Sequence, residues 1–290
     1  MTTHPKAERA FSCVPLNERE PKPRRRGMTE IRGPYYTPMG RRYLEDVLET
    51  MGEYVDILKF AGGSFMLMPA GPLKALIDLC HDHNVMVSTG GFIEHVLTQG
   101  SRAVGQYLDE CKRIGFDIVE ISSGFISVPH DDLVRLTGRV QAAGLKPKPE
   151  VGIQFGAGGA SRPETLEAEG IGDPERAIQL ARKHLDAGAY MIMIESEGIT
   201  ESVRSWRVDI AARFARELGL EAVMFEAAEP EVFSWYVKQY GPEVNLFVDH
   251  SQIVQLEALR RGIWGEKDLW GRVVTFKEGA AERVRSRDVA

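Results

Sequence analysis

Cysteine is scarce in this chain: Cys13, Cys80 and Cys111 are the only three in 290 residues. They form neither an even set nor a metal-ligand spacing, which excludes a disulfide scaffold and a zinc module and makes a reduced, cytoplasmic setting the expectation. Long apolar runs are missing too. The best uncharged stretch, Phe60 to Leu73, is broken by Gly62, Gly63, Pro69 and Gly71, and a membrane helix needs ~20 apolar residues. The first thirty residues hold no apolar segment of the kind that marks a secretory signal. Neither disorder nor a fibrous class fits a chain that is 43% hydrophobic and 27% charged.

A basic excess is also absent, since the net charge is −6. Its distribution is uneven. Residues 1–27 carry +4, so the remaining chain sums to −10. An acidic body is a poor match to nucleic acid, and no nucleic-acid or membrane partner is expected. Pro5, Pro15, Pro21 and Pro23 punctuate the basic segment, and Arg24-Arg25-Arg26 reads as part of a flexible, solvated arm.

What the chain does have is a recurring strand-then-helix unit. Apolar runs at Met28–Arg32, Val55–Phe60, Val85–Ser88, Asp117–Ile121, Leu145–Val151, Tyr190–Ile194, Ala222–Phe225 and Asn245–Val248 alternate with amphipathic segments. The fifth is weakened by Pro147 and Pro149. Its helix begins near Pro174, after Asp173 as N-cap. Gly115, Gly144, Gly188 and Gly219 close helices just before strands, the place for a left-handed C-cap residue. Eight units of roughly 30 residues each match an α/β fold of the (β/α)8 TIM barrel type. The expected division is a basic arm over 1–27, one barrel over 28–271 and a tail over 272–290.

A barrel of this kind works at the carboxyl ends of its strands. Those positions hold Arg32, Lys59, Ser88-Thr89, Glu120, Glu150, Glu195, Glu226 and Asp249-His250. Clustered carboxylates require raised pKa values or a compensating cation, and hard oxygen donors suit Mg²⁺. Lys59 and Arg32 are the expected anion binders, and His250 is a further catalytic candidate. The turns Gly62-Gly63-Ser64 and Gly90-Gly91 are able to offer backbone N–H groups to an anion. His95 falls within a helix and reads as packed or surface. The long loop from Gly152 to Asp173 reads as a lid or an insertion.

The stretches VDILKFAGGS (55–64), STGGFIEH (88–95), ECKRIGFDIVEIS (110–122), LDAGAYMIMIE (185–195), MFEA (224–227), YGPEVNLFVDHSQI (240–253) and LEALRRGIWG (256–265) carry a resemblance. The chain resembles the phosphosulfolactate synthase family, and TEIRGPYY (29–36) and VDHSQ place it nearer the branch of plant heat-stress-associated proteins. The resemblance implies a Mg²⁺-dependent barrel that adds sulfite to phosphoenolpyruvate, giving (2R)-phospho-3-sulfolactate. It implies Glu120, Glu150, Glu195 and Glu226 as metal-ligand candidates, and association into homo-oligomers is plausible for such a chain. Two departures stand out. Where the archaeal enzymes carry a lysine pair after Glu-Val-Gly, the second being the proposed general acid, this chain has Ile153 and Gln154. Glutamine is no acid at neutral pH. After the sixth strand an arginine-rich loop is replaced by Glu195-Ser196-Glu197, which reads as making the mouth less hospitable to anions. A related barrel with another substrate or nucleophile, and a non-catalytic stress or interaction protein, are the alternatives.

Overall fold

The computed structural model describes residues 9–154, 161–168, 173–227, 229–263 and 272–275. Eight parallel strands close a barrel in chain order: β1 (Thr29–Arg32), β2 (Ile57–Lys59), β3 (Met86–Ser88), β4 (Ile118–Ile121), β5 (Lys146–Val151), β6 (Ile192–Ile194), β7 (Val223–Glu226) and β8 (Leu246–Asp249). β8 pairs with β1, so no sheet edge remains. The expected (β/α)8 barrel is what the chain forms.

The helices are α1 (Arg41–Met51), α2 (Ala70–Asp82), α3 (Ile93–Leu97), α4 (Ser101–Ile114), α5 (His130–Ala142), α6 (Pro163–Ala168), α7 (Pro174–Asp186), α8 (Val208–Leu218), α9 (Pro230–Tyr240) and α10 (Ile253–Arg260). No helix among the described residues is long and apolar enough to cross a membrane. The glycine rule holds at α4, where Gly115 adopts φ +112° and its N–H caps the Cys111 carbonyl.

Alternation along each strand sends every second side chain into the lumen. The lower lumen is packed by Met28, Ile57, Ile118, Met191, Met193, Met224 and Phe247. Above it, at the carboxyl ends, the same period brings in charge: Ile57 then Lys59, Ile118 then Glu120, Met193 then Glu195, Met224 then Glu226. Strand β5 obeys the same rule with Lys148 and Glu150. Its prolines are accommodated because they face one neighbour. Lys146 N–H donates to Asp117 on the β4 side, while the Pro147 carbonyl accepts from Tyr190 on the β6 side. Pro147 and Pro149 therefore both point toward β6, and the ladder to β4 keeps its donors.

The basic segment departs from the expected solvated arm over its described part. Arg24 is buried, ion-paired to Asp56 at 3.0 Å and donating to the carbonyls of Glu20 and Glu53. Arg19 pairs with Glu257 at 2.6 Å, and Arg26 reaches Glu221. Asn17 ties the segment to the Arg260 and Val273 carbonyls. Charge complementarity to an acidic body docks it where tail-like composition had argued for solvation. Among the described residues, Arg25 alone of the triplet is exposed with no ion pair. Of the expected lid over 152–173, residues 155–160 and 169–172 lie outside the described residues, as does most of the 272–290 tail.

Candidate active site

A ladder of alternating charge rises through the barrel axis. At its base Lys148 Nζ donates to both oxygens of Glu30 at 2.5 Å, with neither residue exposed. The same ammonium lies 3.1 Å from Glu120, whose other oxygen is 2.9 Å from Lys59 Nζ. Lys59 in turn is 3.7 Å from Glu150, and its ammonium sits 4.2 Å over the Phe247 ring. Arg32 pairs with Glu226 at 2.9 Å. Burial alone would lower the Lys59 pKa, but Glu120, Glu150 and Glu226 outweigh it and hold the ammonium above its usual range. Burial pushes Glu120 up, and Lys59 and Lys148 together bring it below the ordinary carboxylate range.

Three carboxylates cluster at the top of the ladder, where Arg32 reaches Glu226 and Lys59 lies 3.7 Å from Glu150. Glu150, Glu195 and Glu226 offer oxygens that all lie within 4.8 Å of one another. Burial, then the charge of Glu120, pushes Glu150 up to about 8. Burial and the neighbouring Glu226 and Glu150 raise Glu195 well above its normal value, and burial raises Glu226. Along the axis five carboxylates (Glu30, Glu120, Glu150, Glu195, Glu226) face three cations (Lys148, Lys59, Arg32). Counted as ionised, the five carboxylates exceed the three cations by two charges, and a trio of close oxygens beside that excess fits a hard divalent cation. Glu120, expected as a fourth ligand, is held by two lysines and lies outside the trio.

Arg32, Lys59, Glu120 and the trio line one cavity of about 500 Å³ at the carboxyl ends of the strands, together with Tyr35, Tyr36, Gly62, Gly91, Phe92 and Phe125. Of the expected turn residues, Gly62 and Gly91 reach it; Gly63, Ser64 and Gly90 do not. The two glycines among the latter have packing reasons for their place. A Cβ on Gly63 would fall 2.3 Å from the Phe92 ring, and one on Gly90 would fall 2.8 Å from the Phe60 carbonyl oxygen. His250 is outside the cavity as well. Its Nδ1 donates to the Arg32 carbonyl at 3.0 Å, and its ring meets Tyr43 edge-on, so it braces the β1 end.

Gln154 does not enter this cavity either. Its side-chain amide donates to the Leu166 carbonyl at 2.7 Å and clasps the loop after β5 to α6. Glu197 likewise turns from the mouth: one oxygen accepts from Ser161 N–H at 2.8 Å. Its charge therefore does not line the cavity, contrary to the expected effect on anions. Glu201 does line it, accepting from Ser196 Oγ at 2.6 Å.

Four features escaped the reading of strand ends. Glu30 and Lys148 lie one period further down β1 and β5, a position that stepping back two residues from Arg32 and Glu150 reaches. His95 lines the cavity rather than packing elsewhere. Glu94, buried, accepts from Ser122 Oγ, Gly124 N–H and Phe125 N–H at 2.6, 3.0 and 2.8 Å, and so fixes the loop after β4.

The model of the (2R)-phospho-3-sulfolactate synthase (ComA) family matches residues 17–266, from the docked segment to beyond the last barrel helix. The chain belongs to that family. It is 40% identical over 253 residues to the protein HEAT-STRESS-ASSOCIATED 32 of Arabidopsis thaliana, covering 84% of this chain and 88% of that one. It is 27% identical over 256 residues to the phosphosulfolactate synthase of Methanocaldococcus jannaschii, covering 86% and 95%. The corresponding enzyme of Methanothermobacter thermautotrophicus is 26% identical over 255 residues, covering 86% and 93%. Among solved structures, Rhizobium etli pyruvate carboxylase superposes with a TM-score of 0.52 at 10% identity, over 80% of this chain and 24% of that one. That likeness concerns the barrel alone.

Proposed function

We propose that this barrel catalyses nucleophilic addition to an enolic carboxylate, with sulfite addition to phosphoenolpyruvate as the reference reaction. One observation carries the reading: the Glu150–Glu195–Glu226 trio opens into the same cavity as Lys59 and Arg32. In the reference reaction the sulfur lone pair forms a bond to the methylene carbon of phosphoenolpyruvate. The double-bond electron pair moves onto C2 and the carboxylate, and C2 then takes one proton while the phosphate ester stays intact. A Mg²⁺ ion held by Glu150, Glu195 and Glu226 would supply positive charge for the carboxylate as it gains electrons. Arg32 and Lys59 orient the anions and add charge of the same sign. Lys59 is the residue assigned to deliver the proton, because it carries the ammonium that lines the cavity and a glutamine at 154 has no acidic proton.

The acidic surplus on the axis favours a second reading within the same chemistry, in which the attacking group carries less charge than sulfite. Both readings are tested by incubating the protein with Mg²⁺, phosphoenolpyruvate and either sulfite or a neutral thiol, and following adducts by mass spectrometry. Lys59→Gln is expected to lower the rate by about 10²–10³-fold, with circular dichroism checking the fold. Absence of any adduct, together with no calorimetric binding of Mg²⁺ or phosphoenolpyruvate, would leave the non-catalytic alternative standing.

A further inference from the structure

The cavity has a charged floor and apolar walls, and the proposed reference substrates account only for the floor. Arg32, Lys59, Glu150, Glu195 and Glu226 come from strand ends. Tyr35, Tyr36, Phe92, Phe125 and Ile126 come from the loops above them, after β1, β3 and β4. The volume of about 500 Å³ lies in the range that encloses ligands of drug size. A three-carbon acid and an oxyanion carry no apolar surface to place against those walls. Three of the wall residues are nonetheless open to solvent: Tyr35 at 46%, Tyr36 at 75% and Phe125 at 61%. Exposed aromatic side chains converging on one cavity mark a binding surface.

The walls are also held in place. A Cβ on Gly62 would approach the Tyr35 ring to 2.5 Å, so the ring lies flush on a residue that only glycine permits. Tyr36 packs edge-on to Tyr35 at 4.5 Å between centroids. Phe125 and Gly124 both donate their N–H groups to buried Glu94, which fixes the backbone that carries the Phe125 ring. The Arg32 guanidinium joins floor to wall, lying 5.8 Å from the centroids of both tyrosine rings. A carboxylate held by Arg32 therefore brings whatever is attached to it against the tyrosines.

We propose that the acceptor substrate is a carboxylate bearing an aromatic or branched apolar group, seated between Tyr35–Tyr36 and Phe125. This rests on the reading of the site as an enolic-carboxylate site and names the class of acceptor it takes. Lactate and 3-phenyllactate are unreactive probes that differ by one phenyl group and share the 2-hydroxy acid head. Calorimetry in the presence of Mg²⁺ is expected to show 3-phenyllactate binding about tenfold or more tightly than lactate, the gain from burying one ring. Tyr36→Ala and Phe125→Ala, both at exposed positions, bring the ratio of the two affinities toward one. Equal affinities in the wild type, no binding of either acid, or a preference unmoved by both variants would each overturn the proposal. A phenyl preference in a protein that forms no adduct from phosphoenolpyruvate would overturn the reference reaction while upholding the substrate class.

Discussion

Lys148 is fully enclosed between two carboxylates, and its ammonium is tolerated only because both are close. Such a pair contributes little net stability, yet removal of one partner leaves the other as a buried, unpaired charge. Lys148→Met leaves Glu120 with Lys59 but leaves Glu30 with no partner, and is expected to cost about 3–5 kcal/mol in urea denaturation. Adding Glu30→Gln to that variant recovers most of the loss, since the stranded charge is gone. A single variant within about 1 kcal/mol of wild type would show that Glu30 tolerates isolation. Lys59 differs, because it reaches the cavity and is paired less closely with Glu150; its loss is read in the rate. Residue spacing carries only half of this distinction. Lys59 and Glu120 announce themselves at strand ends, whereas Lys148 sits between two prolines, where sequence pattern argues against a strand.

At the scale of elements, the eight strands were readable because each is a short apolar run bounded by turns, and the helices because their polar faces recur. Some helix starts are less legible, as at α1, where Arg41 and Arg42 are polar and exposed and so leave no apolar signal. What composition could not disclose was how side chains on loops are spent. Gln154 and Glu197 sit beside site residues in sequence, yet both turn to fasten the loop after β5. The helix that follows has a clear start: the Asp173 carboxylate accepts from Glu175 N–H at 2.9 Å ahead of Pro174. Asp173→Ala is expected to lower stability by about 1 kcal/mol, seen as a lower urea midpoint with an unchanged slope. An unchanged midpoint would mean that Pro174 alone sets the helix start.

For the whole molecule, acidity is divided between two ends of the barrel. At the bottom the basic segment neutralises Asp56, Glu221 and Glu257 through Arg24, Arg26 and Arg19. At the top the carboxylate trio is pushed toward its protonated form instead, with Glu150 up to about 8 and Glu195 and Glu226 raised. A carboxyl raised on folding contributes stability that is complete below its unfolded pKa and is lost as pH climbs through the folded value. After chelation, the contribution of the trio is therefore expected to fall between the ordinary carboxylate range and about pH 8. A divalent cation binds the deprotonated trio, so protons and metal compete, and metal affinity rises across the same window. Under the proposed assignment, added Mg²⁺ raises the melting temperature little at pH 6 and much more at pH 8.5. Glu195→Gln, which removes one ligand charge, is expected to shrink the shift at the higher pH. A shift equal at both pH values, or one that survives in Glu195→Gln, would place the ion away from the trio.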